Sequence, residues 1–235
     1  MSQRKLFFFT GIGLFFLFIF FSYLVNKNLF VHFDFNMTVH LQNHISRRFD
    51  EAFSFLSDIG KFEVMLVVLI VLFVVLRKLL AGIVAFVLFG GFHLIELFGK
   101  FFVDHLPPPQ FMLRTKNILD FPQYHVRSEF SYPSGHAGRA AFLSVILLVI
   151  IWNSKRFSSK VKIILSLFIV GYDIAMCVSR VYLGEHWTTD VIGGTMLGAG
   201  FGLLVSGLLV GQGKLKTFLP KIPKYRIEIK KVASD

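Results

Sequence analysis

Long apolar segments joined by short polar links dominate this chain. Six segments read as membrane spans: 6–25, 62–76, 79–98, 137–152, 163–181 and 191–210. A helix needs about 20 mostly apolar residues to cross the hydrocarbon core of a bilayer. The second and fourth segments are shorter than the others, so their ends are the least sharply defined. The pattern predicts an all-α bundle of six transmembrane helices.

The link between the first two spans, residues 30–61, has a helical pattern of its own. Phe49, Phe53, Leu56 and Ile59 recur at helical spacing with charged residues between them. This is typical of an amphipathic helix lying on a membrane surface. A helix packed on the spans fits the same pattern, and both interpretations are open at this point.

Composition agrees with one integral-membrane domain covering residues 1–235. The chain is 54% hydrophobic, contains 30 Phe residues and has a mean hydropathy of +0.66. A soluble domain of ordinary composition is less apolar. The single cysteine, Cys177, excludes an intrachain disulfide framework.

The net charge of +11 bears on orientation more than on nucleic-acid binding, because the basic residues flank the spans. Lys and Arg concentrate in the N-terminal tail, at Arg77 and Lys78, in the link 155–162 and in the tail from about residue 212. Since cytoplasmic links carry the excess of positive charge, both termini are predicted to be cytoplasmic. The intervening links then face outward, and no nucleic-acid partner is predicted.

Two polar stretches on the outward side carry candidate chemistry. The link 179–190 contains Arg180, His186 and Asp190, and the residues Pro133-Ser134-Gly135-His136 open the fourth predicted span. A carboxylate four residues after a histidine can hydrogen-bond its imidazole and fix the tautomer. An oriented histidine beside an arginine suits nucleophilic attack on a phosphate.

The remaining members of this predicted site have supporting roles. His136 can protonate a leaving oxygen. Ser134, Gly135 and the exposed N–H groups of the helix start offer an anion site. Lys100 and Arg180 can stabilise charge on the transferring phosphoryl group.

These two stretches resemble the second and third signature motifs of the type 2 phosphatidic acid phosphatase (PAP2) superfamily. That family includes membrane lipid phosphatases and vanadium-dependent haloperoxidases, and the resemblance covers about residues 96–211. It implies that His186 is a nucleophile forming a phosphohistidine, that Asp190 is its partner and that His136 is the leaving-group acid. It also implies phosphate binding by four residues and no metal or other cofactor; the four are Lys100, Ser134, Gly135 and Arg180.

The first family motif, a Lys followed after six residues by Arg-Pro, is incomplete here. Lys100 is followed by Pro107-Pro108, so the arginine is missing. Arg139 is slightly preferred as a substitute because it shares a helix face with His136. The alternative is that Arg139 pairs with Asp173. The other candidate substitutes are Arg114, Lys116 and Arg127.

Two expectations concern neighbours of this motif. Glu96 precedes Lys100 by four residues, so the two are expected to form a local pair in which Glu96 orients the lysine. His105 is expected to lie near the site as a bystander.

The sequence therefore predicts a multi-pass lipid phosphatase of the cytoplasmic membrane, with its active site facing outward. Its partners would be the membrane and a lipid phosphate: undecaprenyl pyrophosphate, phosphatidylglycerol phosphate or phosphatidic acid. Three alternatives are a lipid phosphotransferase using the same phosphohistidine, a vanadate-dependent haloperoxidase-like enzyme, and a catalytically degenerate membrane scaffold.

Overall fold

The computed structural model describes residues 2–116 and 130–211, and within those residues all regular structure is helical. There are eight α-helices and two 3₁₀ turns, Arg47–Phe49 and Gln110–Met112. The α-helices are α1 Gln3–Asn26, α2 Val31–His44, α3 Asp50–Ile59, α4 Phe62–Val75, α5 Leu79–Phe102, α6 Gly135–Asn153, α7 Ser159–Tyr182 and α8 Thr188–Gly211. Arg127 and the basic tail from about residue 212 lie outside the described residues. The all-α prediction is confirmed.

Among the described residues, five helices are long and apolar enough to cross a membrane: α1, α5, α6, α7 and α8. They coincide with five of the six predicted spans and make the chain a multi-pass membrane protein. The remaining predicted span, 62–76, corresponds to α4, which has only 14 residues. At 1.5 Å per residue this helix is about 21 Å long, less than the roughly 30 Å of the hydrocarbon core.

The link between α1 and α4 folds as two helices rather than one. In α3, four polar residues face the protein interior: Asp50, Ser54, Ser57 and Asp58. Phe55, by contrast, is half exposed. The spacing of the four polar residues places them on one helix face, and partners inside the protein satisfy them. The Tyr182 hydroxyl, for example, donates a hydrogen bond to Asp50. The helical pattern was thus predicted, but the direction of its polar face was not.

Helices α6 and α8 approach so closely that their backbones touch. A Cβ atom added to Gly198 would lie 1.9 Å from the carbonyl oxygen of Gly138. A Cβ on Gly194 would lie 2.2 Å from the carbonyl oxygen of Ser134. Small residues permit such contact between membrane helices. The starts of the two helices are therefore held side by side.

Several helix ends meet at one end of the bundle. The starts of α6 and α8 lie there, since the Ser134 N–H donates to the Asp190 carbonyl at 2.9 Å. The end of α1 is tied to the segment after α5, because the Asp104 N–H donates to Asn26 Oδ1 at 2.8 Å. The polar stretches identified in the sequence are thus brought together at this end.

Candidate active site

A cavity of about 960 Å³ opens at this end of the bundle. It is lined by segments far apart in the sequence, from α3 to the link before α8. Six of the predicted site residues line it: Lys100, Gly135, His136, Arg139, Arg180 and His186. The structure therefore assembles most of the predicted site, while the role of each residue stays a prediction.

His186 is oriented by the carboxylate predicted to hold it. Its Nδ1 lies 3.2 Å from Asp190 Oδ2, which also accepts a hydrogen bond from the Trp187 N–H at 3.0 Å. Asp190 is fully buried. Because a carboxylate only accepts hydrogen bonds, the ring proton lies on Nδ1 and the lone pair on Nε2. That is the tautomer that a nitrogen nucleophile requires.

The surroundings of His186 also keep its ring neutral. Burial lowers the pKa of His186, and the positive charges of Arg180 and Lys100 lower it further. The hydrogen bond and negative charge of Asp190 oppose this shift without cancelling it, so the pKa stays below its usual value. An unprotonated Nε2 is consequently present at neutral pH.

Arg180 is buried between two partners that the sequence did not reveal. It donates to the Ser57 hydroxyl of α3 and to the carboxylate of Glu185. Glu185 also accepts a hydrogen bond from the Thr115 hydroxyl. Burial would raise the pKa of Glu185, but the charge of Arg180 and the Thr115 hydrogen bond outweigh it and lower the pKa. An ionised carboxylate therefore covers Arg180.

Glu96 also lines the cavity, where its carboxylate contacts three nitrogen-bearing side chains. Its carboxylate lies 3.1 Å from Lys100 Nζ, 2.9 Å from His93 Nδ1 and 3.5 Å from Arg139 Nη1. The predicted pairing of Glu96 with Lys100 is confirmed. A Cβ on Gly135 would lie 2.0 Å from Glu96 Oε1, so no larger residue fits at the start of α6 without displacing this carboxylate.

Arg139 reaches the cavity and contacts a predicted catalytic residue. Its Nη2 lies 3.3 Å from His136 Nδ1, and its Nε donates to the Gly60 carbonyl at 2.9 Å. The alternative pairing of Arg139 with Asp173 is wrong, because Asp173 accepts from the Ser144 hydroxyl at 2.8 Å while Arg139 turns toward Glu96.

Two other candidate substitutes for the missing arginine, Arg114 and Lys116, lie outside the cavity. The guanidinium of Arg114 stacks over the Tyr182 ring at 5.1 Å from its centroid. Lys116 pairs with exposed Glu51 at 2.8 Å. Pro107 itself lines the cavity. Among the substitutes within the described residues, only Arg139 lines the cavity.

His105, which was expected to lie near the site as a bystander, contacts the site residue Asp190 directly. Its Nδ1 lies 2.8 Å from Asp190 Oδ1, and its Nε2 lies 3.6 Å from Asp34 Oδ2. Burial alone would lower the pKa of His105, but its interactions with Asp190 and Asp34 raise it to about 9. The available signal was Asp34, a lone acidic residue between Phe33 and Phe35 in an apolar stretch.

Ser134 lies at the start of α6, next to the cavity residues Gly135 and His136, without lining the cavity itself. It is wholly buried, and its hydroxyl has no hydrogen-bond partner among the described residues. Buried hydroxyl groups are normally satisfied, so this donor is suited to a ligand oxygen. Within residues 2–116 and 130–211, no cluster of three or more His, Cys, Asp or Glu side chains could hold a metal ion.

Two curated proteins are similar in sequence to this chain. It is 30% identical over 145 residues, 62% of its length, to phosphatidylglycerophosphatase B of Bacillus subtilis (strain 168), covering 64% of that protein. It is 31% identical over 147 residues, again 62% of its length, to an undecaprenyl-diphosphatase of Sulfolobus acidocaldarius, covering 63% of that protein. The chain thus spans just under two thirds of the length of both relatives.

Solved structures share the fold. A PAP2-type phosphatidylglycerolphosphate phosphatase from Bacillus subtilis superposes with a TM-score of 0.69 at 24% identity, covering 90% of this chain and 100% of that one. Aquifex aeolicus LpxE superposes with a TM-score of 0.54 at 19% identity, covering 74% of this chain and 94% of that one. The profile of the PAP2 superfamily matches residues 68–213, more than half of the chain and both polar stretches. This chain is therefore a member of the PAP2 superfamily.

Proposed function

We propose that this chain is an integral-membrane lipid phosphatase that works through a phosphohistidine. The observation that carries the proposal is the juxtaposition in one cavity of His186, already oriented by Asp190, with Arg180, Lys100 and His136. Both curated relatives are named for phosphatase activity on a lipid phosphate or lipid diphosphate. The substrate class is therefore a lipid carrying a terminal phosphate.

The reaction divides into two displacements at phosphorus. In the first, the lone pair of His186 Nε2 forms a bond to phosphorus as the bond between phosphorus and the lipid oxygen breaks. His136 enters this step as an imidazolium, donates one ring proton to that oxygen and becomes neutral, and the dephosphorylated lipid leaves. In the second, water attacks the phosphohistidine, His136 takes the water's proton, and inorganic phosphate leaves with His186 restored.

The residues around phosphorus stabilise the charge that develops there. Arg180 and Lys100 supply positive charge, while the Ser134 hydroxyl and the backbone N–H groups at the start of α6 donate hydrogen bonds. Arg180 and Lys100 are held in ion pairs with Glu185 and Glu96, so the phosphate exchanges with these carboxylates as it binds. A metal ion is not required in this scheme.

The course of the chain supports six crossings, with α4 as a short sixth. Gly60, just before α4, packs beside His136 at the site end of the bundle. Phe73, near the end of α4, packs against Gly82 near the start of α5. Helix α4 thus runs away from the site and α5 returns to it. The two termini then share the side opposite the site.

The distribution of basic residues orients this arrangement. Arg4, Lys5, Arg77 and Lys78 all lie at the end opposite the cavity, the side that the positive-inside rule assigns to the cytoplasm. The termini are then cytoplasmic in the inner membrane, and the cavity faces outward. Helix α3, with its polar face turned inward and Phe55 outward, lies at the outer membrane surface.

Phosphate release from defined lipids tests the proposal. The purified full-length protein would be assayed with phosphatidic acid, phosphatidylglycerol phosphate and undecaprenyl diphosphate, with and without a chelator and an acceptor alcohol. We expect at least one lipid to release inorganic phosphate, without chelator inhibition. Transfer of phosphate only to the alcohol would instead identify a phosphotransferase.

A matched pair of variants tests the nucleophile. His186→Ala is expected to abolish phosphate release and the acid-labile ³²P label on the quenched protein. His44→Ala is the control, because His44 is exposed and packs on the ring and carbonyl of His40 in its own helix. Phosphate release by His186→Ala at the wild-type rate would refute the phosphohistidine mechanism.

A further inference from the structure

A chain of buried polar groups extends from the proposed nucleophile into the protein. His186 contacts one oxygen of Asp190, and His105 contacts the other at 2.8 Å. The far side of His105 faces Asp34, which accepts hydrogen bonds from the Thr189 N–H at 2.9 Å and the Thr189 hydroxyl at 2.7 Å. His105, Asp34, Thr189 and Asp190 are all buried. This series of polar groups links α2, the segment after α5 and the start of α8.

The two carboxylates beside His105 favour its cationic form. Both of its ring nitrogens face carboxylate oxygens, which accept hydrogen bonds but donate none. A neutral imidazole would present an unprotonated nitrogen to one of the two carboxylates, with mutual repulsion of lone pairs. The raised pKa of His105, about 9, agrees with the geometry.

The other groups around His105 do not alter this charge balance. The edge of the Tyr132 ring faces His105, with 6.4 Å between ring centroids. Burial raises the pKa of Tyr132, so its hydroxyl is neutral. His186, beyond Asp190, is neutral for the reasons given above. Two carboxylates and one imidazolium therefore leave one net negative charge behind the nucleophile.

We propose that His105 and Asp34 are positioning residues of this active site, acting through Asp190. His105 keeps Asp190 ionised and turned so that its second oxygen meets His186. The net negative charge of the three residues stabilises the positive charge that the His186 ring acquires when Nε2 bonds to phosphorus. This role rests on the proposed phosphohistidine chemistry, and neither residue touches the substrate.

Paired substitutions separate this role from a merely structural one. In His105→Gln, two buried carboxylates lose their shared cation, and one of them must take up a proton. When Asp190 takes it, His186 loses its acceptor. In the double variant His105→Gln/Asp34→Asn only one carboxylate is left, so Asp190 is again ionised. If His105 had a purely structural role, the double variant would instead be less active than His105→Gln.

Steady-state kinetics of the full-length protein, on whichever of the three lipid phosphates turns over fastest, provide the first test. His105→Gln is expected to lower kcat by about tenfold to a hundredfold with little change in KM, as for the loss of other positioning groups. The double variant should regain about tenfold of that loss. A kcat in His105→Gln equal to that of the wild type would overturn the proposal, as would an additive loss in the double variant.

Nitrogen NMR of protein labelled with ring-¹⁵N histidine provides a second test that needs no turnover. The resonances absent from His105→Gln identify His105, and at pH 7.5 both of its nitrogens should have the shifts of an imidazolium. A neutral His105 at that pH would refute the proposal even if no lipid were hydrolysed. Conversely, an imidazolium in a protein that releases no phosphate would contradict the proposed function alone.

Discussion

Arg139 Nη2 lies 3.3 Å from His136 Nδ1. A guanidinium has only donors, so Nδ1 of His136 accepts this hydrogen bond and His136 is neutral in this arrangement. To protonate a leaving oxygen, His136 needs a second ring proton, which requires Arg139 to leave Nδ1. Arg139 would turn toward the negative charge of a bound phosphate. In that position its guanidinium would replace the missing first-motif arginine.

Replacing Arg139 by Gln is therefore expected to weaken substrate binding. The phosphate would lose one charge-assisted contact, and KM should rise by about tenfold. Arg114→Gln is the matched control, since Arg114 stacks on Tyr182 outside the cavity and its loss should leave KM unchanged. Equal KM values for Arg139→Gln and the wild type would exclude Arg139 from phosphate binding.

Glu185 and the substrate compete for Arg180. The carboxylate of Glu185 lies on this guanidinium and is ionised at neutral pH, so a phosphate must displace it. Glu185→Gln should lower the inhibition constant of inorganic phosphate by about tenfold, because a neutral amide is displaced more easily. Competitive inhibition measured at constant ionic strength gives this value.

A second acidic residue of the same cavity supplies the control for Glu185. Glu63 lines the cavity, so Glu63→Gln removes one negative charge from it without touching the carboxylate on Arg180. If both variants tighten phosphate binding equally, the effect comes from the charge of the cavity as a whole rather than from competition at Arg180.

His105 should make stability depend on pH in the alkaline range. Its pKa is raised from an ordinary 6.5 to about 9 in the folded protein. The protonated His105 therefore stabilises the folded protein fully below pH 6.5, and this stabilisation is lost as the pH rises through 9. By linkage it is worth up to about 3 kcal/mol.

Thermal unfolding across this range checks the dependence. The Tm difference between wild type and His105→Gln should be largest at pH 6 and should shrink toward pH 10. A constant difference would argue against a charged His105. His44→Gln, which alters an exposed histidine, should give a difference that does not change in this way.

Restoring the first-motif arginine provides a gain-of-function test. Pro107 lines the cavity, so the side chain of Pro107→Arg can reach a bound phosphate. We expect KM to fall by about fivefold, in line with one added charged contact partly offset by the lost rigidity of the proline. Pro109→Arg places the same charge two residues further along at an exposed position outside the cavity and should have little effect. Equal effects of the two substitutions would point to general electrostatic attraction.

The parts of this molecule that follow from local pattern were predictable from the sequence. The apolar segments predicted five long helices to within a few residues, because lipid requires long apolar runs. The spacing of His186 and Asp190 within one helical turn predicted their contact, and Glu96 with Lys100 followed the same rule.

The contacts that were missed join residues far apart in the chain. His105 and Asp190 are separated by 85 positions, Ser57 and Arg180 by 123, and Asp34 and Thr189 by 155. No periodicity within one segment encodes such pairs, since they depend on how the helices pack. The orientation of α3 was missed for the same reason. Its apolar face was visible, but two partners of its polar face, Arg180 and Tyr182, lie far along the chain on α7.

The backbone contact between α6 and α8 has a consequence for how a lipid gains access. Gly138 and Gly198 bring the two backbones into contact, so we expect the helices bearing His136 and Asp190 to move together. Any widening of the cavity must then come from the opposite wall, where α3, α4 and α5 contribute Ser57, Phe62 and Leu97. We expect a covalent cross-link between α6 and α8 to leave turnover intact, whereas one between α3 and α5 should slow it. The lipid would thus enter as α3, α4 and α5 move, while α6 and α8 keep their positions.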